Sequence, residues 1–379
     1  MKDIYFDNAA TTRVDEDVVA LMAQVMREDY GNPSSLHTRG VQAQLLVERA
    51  ERQLLSALGA KSGQVLFTSG GTEANNLALF GGADAKKRRG KRIVTTAMEH
   101  SSVLCAMREL SHRGFELIEI LPEADGRVNA DKLLDACNGD TVLVSMMLVN
   151  NEVGSIQPVA EVAKRLRAKA PHALLHTDAV QAFGKIPFSV SSLGVDMLTL
   201  SGHKIHAPKG VGALYLADKV RITPLLFGGS QQKGLRPGTE SVPMIAALGL
   251  AAQTAAGRLT ENRAGALATK EALINGLSAL PNVVINSPAE HCSPFLLNCS
   301  VVGYRSETLL HFLASQGIYV SSGSACSKGA KSHVLAAMGR SEREIDSALR
   351  VSLCEYNTPQ EAERFCEALK SAMQSLRRA

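Results

Sequence analysis

The chain has 379 residues, 45% of them hydrophobic, and a formal net charge of +4. That length exceeds what one hydrophobic core usually holds, so two domains are expected, and the apolar content excludes a disordered chain. So small a charge gives no case for direct nucleic-acid binding, and no apolar run approaches the ~20 residues that span a bilayer.

The first eight residues, Met1 to Asn8, lack the basic, apolar and small-residue zones of a signal peptide, so a cytoplasmic location is expected. The seven cysteines, at 105, 137, 292, 299, 326, 354 and 366, include no Cys-x-x-Cys pair. That spacing and the odd number argue against a disulfide framework and against a zinc or iron–sulfur site. Most should be small hydrophobes filling the core.

In chain order, strands are predicted at 64–68, 92–97, 116–121, 141–149, 173–177, 197–200 and 212–216, with helical patterns at 73–87, 101–113 and 159–170 between them. The run 141–149 is almost wholly apolar, which suits a strand buried on both faces. The alternation predicts an α/β domain with a mostly parallel seven-stranded sheet, covered on both sides. The basic run at 86–92 reads as a solvated helix end. From about residue 255 long Ala/Leu/Glu-rich helices take over, which predicts a smaller α+β domain. The expected division is 13–254 for the large domain and 1–12 with 255–379 for the small one.

Ligands of such sheets sit beyond the carboxyl ends of the strands. The residues there are polar: Ser69-Gly70-Gly71-Thr72-Glu73, Met98-Glu99-His100, Asn150-Asn151-Glu152, Asp178-Ala179-Val180-Gln181 and Ser201-Gly202-His203-Lys204. The glycine turn at 69–73 opens a helix, where free N–H groups favour an anion, although a plain turn capped by Thr72 fits equally. Lys204 at a strand end is either a surface cation or an amine suited to a Schiff base. Asp178 is either a helix cap or a partner for a protonated pyridine nitrogen, which would keep such a ring an electron sink.

Taken in order, several segments resemble the cysteine desulfurase branch of the class V aminotransferase family. They are 7–12 (Asp-Asn-Ala-Ala-Thr-Thr), 31–35, 68–76, 150–154, 201–204 with 208–210, 236–239 and 321–326 (Ser-Ser-Gly-Ser-Ala-Cys). The resemblance implies a homodimer of the pyridoxal-phosphate transferase fold type I. It further implies that Lys204 anchors pyridoxal 5′-phosphate, and that Gly71, Thr72, Ser201 and His203 bind its phosphate with Thr239 of the other subunit. His100 would lie against the ring and move protons, Asp178 would hold the ring nitrogen, and Gln181 would bond the ring hydroxyl. Asn151 and Arg350 would grip the carboxylate of L-cysteine. Cys326 would take the sulfur as a persulfide, leaving L-alanine, and pass it to an iron–sulfur scaffold or to an enzyme that thiolates tRNA or DNA.

Cys326 lies in a small, polar, glycine-punctuated stretch, read as an exposed loop, where Lys328 and Lys331 would favour the thiolate. The stretch after it is slightly shorter than in the housekeeping iron–sulfur enzymes. Cys354 replaces a glycine often found there. A selenocysteine lyase or an aminotransferase of the same fold is the enzymatic rival, and a sulfur-relay protein without cofactor the non-enzymatic one.

Overall fold

The computed structural model describes residues 3–322 and 331–378. A short strand β1 (Ile4–Tyr5) leads into helices α1 (Glu16–Glu28) and α2 (Thr38–Ala57). The main sheet follows: β2 (Gln64–Thr68), β3 (Arg92–Thr96), β4 (Glu116–Ile120), β5 (Thr141–Ser145), β6 (Leu174–Asp178), β7 (Met197–Ser201) and β8 (Gly212–Leu216). Its spatial order is β2-β8-β7-β6-β5-β3-β4. Pairing is parallel from β7 through β6, β5 and β3 to β4, whereas β8 runs antiparallel to both its neighbours.

Alternate strand residues feed two cores, as the two-residue period of a strand requires. Val94, Val144, Leu175 and Leu198 point into a core shared with α2 and the helix Val242–Gly257. Ile93, Leu143, Leu174 and Met197 point into the opposite one, beneath α3 (Gly71–Lys86) and α4 (Ser101–His112). The basic run at 86–92 begins where α3 ends, and Lys87, Arg88 and Arg89 are exposed.

One predicted strand is too long. β5 stops at Ser145, although residues 146–149 are all buried. Met146 and Leu148 still donate to the His176 and Asp178 carbonyls, after which the chain leaves the ladder for the turn at 150–155. Ile156 then bridges Val149. Apolarity reports burial, and burial here does not require strand pairing.

Beyond residue 257 the chain builds a separate core around Leu273, Phe295, Leu349 and Phe365. Its antiparallel sheet has the order β12-β10-β9, from β9 (Val283–Ile285), β10 (Leu296–Val301) and β12 (Ala348–Ser352). β1 joins this core by pairing in parallel with β11 (Ile318–Tyr319). Phe6 packs edge-on against Phe365 with centroids 6.1 Å apart. Residues 7–12 then run back to the main sheet, where Thr12 N–H donates to the His203 carbonyl at 2.9 Å. Among the described residues no single helix is long and apolar enough to cross a membrane.

Candidate active site

A cleft of about 710 Å³ opens beyond the carboxyl ends of β2, β3, β5, β6 and β7. Gly71, Thr72, His100, Asn151, Asp178, Gln181, Ser201, His203, Lys204 and Arg350 all line it. Two expected site residues are not in this set. Thr239 is exposed and not part of its own chain's cleft, and Cys326 lies outside the described residues. Lys331, read from sequence as a thiolate-favouring cation, lines the cleft and is paired with Glu342.

At the β2 end, α3 begins at Gly71 with no side chain capping its first N–H groups. A Cβ on Gly71 would come 3.1 Å from Val180 Cγ2, so glycine lets this turn sit close against the β6 loop. Uncapped N–H groups at a helix start favour an anion.

Asp178 ends β6 and is 6% exposed. Its Oδ1 accepts from Val180 N–H at 2.9 Å, and its Oδ2 accepts from Asn75 Nδ2 at 2.8 Å. No helix directly follows β6, so Asp178 holds a turn at 180–185 rather than capping a helix, and it lines the cleft. Asn75 Nδ2 also donates to Ser102 Oγ at 2.8 Å, and Ser102 Oγ lies 2.8 Å from His100 Nδ1. Because His100 Nδ1 accepts from the Ser102 N–H, Nε2 is the nitrogen that carries the proton of the neutral ring.

Lys204 sits in the single 3₁₀ turn after β7, and its Nζ donates to the carbonyls of Ala9 and Ala10 at 2.5 and 2.6 Å. Burial, then the charges of Lys204, Lys209 and Lys185, push His203 down to about 4, so it is neutral at physiological pH. Gln181 donates to the Ala9 carbonyl at 2.9 Å.

Arg350, on β12, is 2% exposed. Its Nη2 meets Asp7 at 2.9 Å and its Nη1 the Asn151 carbonyl at 3.2 Å, so the two prongs expected for a substrate are each part-used. Its Nε is buried with no partner among the described residues. A buried guanidinium N–H left unbonded is costly, and an incoming carboxylate would satisfy it.

Pyridoxal phosphate asks for an amine to meet its aldehyde, a carboxylate for its ring nitrogen and donors for its phosphate. Lys204, Asp178 and the uncapped start of α3 supply these around one cleft, so the residues fit the group. Sequence reasoning missed Asn75, which orients Asp178, and the Asp7 partner of Arg350. Asn75 lies one turn beyond Thr72 on the same helix face, a signal at i+3 that was available. Nothing local links Asp7 to a residue 343 positions away.

The family profile described as aminotransferase class V matches residues 4–365. The cysteine desulfurase IscS of Methanosarcina thermophila is 40% identical over 378 residues, covering 99% of this chain and 93% of that protein. Cysteine desulfurase 2 of Trichormus variabilis is 41% identical over 384 residues, covering 100% and 94%. The solved structure of a NifS-like protein superposes with a TM-score of 0.94 at 40% identity, covering 99% of this chain and all of the other. The chain belongs to the class V aminotransferase family and, within it, to the pyridoxal phosphate-dependent cysteine desulfurases.

Proposed function

We propose that Lys204 carries the cofactor, that Arg350 and Asn151 hold the carboxylate of L-cysteine, and that Cys326 receives its sulfur. The observation that carries this reading is the convergence of Lys204, Asp178, the open start of α3 and Arg350, whose Nε is buried without a partner among the described residues, around one cleft. Bound pyridoxal phosphate supplies an electron sink for the bonds around the substrate's Cα. Asp178, fixed by Asn75, keeps a proton at the ring nitrogen. Gly71 and Thr72 would offer backbone N–H groups to the phosphate, with Ser201 and the neutral His203 beside them, and His100 would lie against the ring. Gln181 donates to the ring oxygen.

Arg350 turns its Nε and its remaining Nη hydrogens to the substrate carboxylate, and the Asn151 side chain adds a donor. Lys204 Nζ takes the proton from Cα and returns it at the cofactor's side of the cleft. The Cys326 thiol forms a bond to the substrate sulfur as the carbon–sulfur bond breaks. Atoms balance: L-cysteine and the Cys326 thiol become L-alanine and a Cys326 persulfide.

The same reading makes the enzyme a homodimer in which Thr239 of one subunit completes the partner's phosphate site. Its sulfur goes to an acceptor protein, either an iron–sulfur scaffold or an enzyme thiolating tRNA or DNA. The division into 13–254 and 1–12 with 255–379 belongs to this reading and is supported by the separate core around Leu273 and Phe365. The free thiols of the six described cysteines support a reducing, cytoplasmic setting. Borohydride reduction of the yellow protein tests the assignment: the label is expected on the peptide containing Lys204. Recovery on Lys209 or Lys185, or nowhere, would sink it.

A further inference from the structure

Behind the cleft lies a lysine that the reaction leaves without a part. Lys185 follows β6 by two turns and is 6% exposed. Its Nζ donates to Gln181 Oε1 at 3.1 Å. A buried ammonium is costly and needs compensation. Burial pushes Lys185 down to about 8, while the Glu355 carboxylate pulls it up and Arg350 pushes it further down.

While Lys185 is protonated, Gln181 stands between two groups of fixed polarity. The Lys185 ammonium only donates, and the Ala9 carbonyl only accepts. One amide orientation satisfies both: Oε1 toward Lys185 and Nε2 toward Ala9, at 2.9 Å. Turned over, the amide would set N–H against ammonium and oxygen against oxygen. Nε2 carries two hydrogens; Ala9 takes one, which leaves the other for a further acceptor, and Gln181 is among the residues that line the cleft. Lys204 Nζ donates to the same Ala9 oxygen, so the two side chains meet at one atom.

We propose that Lys185 is a positioning residue, locking the Gln181 amide with Nε2 toward the cleft so that it donates to the ring oxygen of the cofactor and stabilises that oxygen as an anion. The inference rests on the reading that Lys204 carries the cofactor. A donor on the anionic oxygen weakens that oxygen's hold on the proton of the nitrogen joining Lys204 to the cofactor, so this nitrogen titrates lower with Gln181 in place than without it.

Other titrating groups face Lys185. Cys354 is pushed up to about 12, chiefly by burial, and His203 down to about 4. Glu355 is held below 4.5, because its bond and charge from His206 outweigh its burial. His206, 3.1 Å from Glu355, is raised above 6.5, since Glu355 outweighs its burial. The Lys185 charge bears on His203, Cys354 and Glu355, so Lys185→Arg, which keeps that charge, is the control for their indirect effect.

The test is a pH titration of the cofactor's long-wavelength absorption in the holoenzyme. Lys185→Met is expected to raise the midpoint by about half to one pH unit, a three- to tenfold gain in proton affinity. Lys185→Arg keeps a donor and should titrate near the wild type. Gln181→Ala should raise the midpoint by itself, and adding Lys185→Met to it should shift it no further, because the lysine acts through the glutamine. An unmoved midpoint in Lys185→Met, or fully additive shifts in the double variant, overturns the proposal. If the methionine variant does not fold, Lys185→Gln decides: it allows either amide orientation, so a rise supports the proposal and an unmoved midpoint rejects it. Borohydride separates the two readings, since no label on Lys204 in the wild type sinks the cofactor assignment, whereas label with an unmoved titration sinks only the role of Lys185.

Discussion

Glu99, next to His100, is fully out of water. Its Oε1 accepts from Thr96 Oγ1 at 2.7 Å and from Met147 N–H at 2.8 Å, while Oε2 has no partner among the described residues. Burial drives its pKa up to about 8; those two bonds oppose the rise, and the charge of Asp178 adds to it. The folded state therefore keeps a proton that the unfolded chain has released, between about 4.5 and about 8. The stability this proton confers is complete below about 4.5 and is lost as pH rises through about 8. Glu99→Gln keeps the oxygen that Thr96 and Met147 bond and removes the titration. Thermal melts should show the variant close to wild type at pH ~5 and a few degrees more stable at pH ~8.5. Parallel curves for the two proteins across that range would show that Glu99 is charged throughout.

In the proposed function the start of α3 is the element on which the cofactor's phosphate would depend. Gly71→Ala puts a methyl 3.1 Å from Val180 Cγ2 and 3.6 Å from Ser201 Cβ, so Val180 or the first turn of the helix must give by a few tenths of an ångström. Equilibrium dialysis of the apoprotein should find pyridoxal phosphate bound about tenfold more weakly or worse, a loss of ~1.4 kcal/mol, with the circular dichroism unchanged. Unchanged affinity would remove this turn from the site. The positions of all seven sheet strands were legible, because the central ones are short apolar runs and the connecting helices are amphipathic. The strand turns were legible as sites because polar residues gather there against the apolar pattern. What escaped were pairings across the chain. β1 is two residues long and carries no pattern of its own, and its partner Ile318–Tyr319 lies more than 300 positions away. Lys185 gave no signal either: in Gly184-Lys185-Ile186-Pro187 it reads as an ordinary loop cation, and only the fold turns it inward.

At the scale of the molecule, the proposed phosphate site at the start of α3 does not include its own chain's Thr239. Arg236 pairs with Glu73 at 2.9 Å, which pins the 236–239 loop beside the first turn of α3, yet Thr239 stays exposed. Large apolar side chains are also left in water, Leu36 at 99%, Phe227 at 85% and Tyr30 at 70%. A partner subunit would cover such groups and bring Thr239 to the other site. Mixing a Lys204→Ala chain with a Thr239→Ala chain checks this. If Thr239 acts across the interface, a mixed dimer has one site with both defects and one with neither, so activity partly returns. No recovery despite proven subunit exchange would place Thr239 outside the partner's site.

The transfer of sulfur to Cys326 is the central claim, and peptide mass spectrometry after incubation with L-cysteine tests it most directly. Loss of a covalent nucleophile costs several powers of ten in rate, more than a displaced loop residue would. The wild-type peptide carrying Cys326 should gain one sulfur atom as L-alanine appears. Cys326→Ala should stay yellow, change its spectrum on binding L-cysteine, and release almost no alanine. Alanine release from that variant at the wild-type rate, or the added sulfur found on another cysteine, would contradict the account.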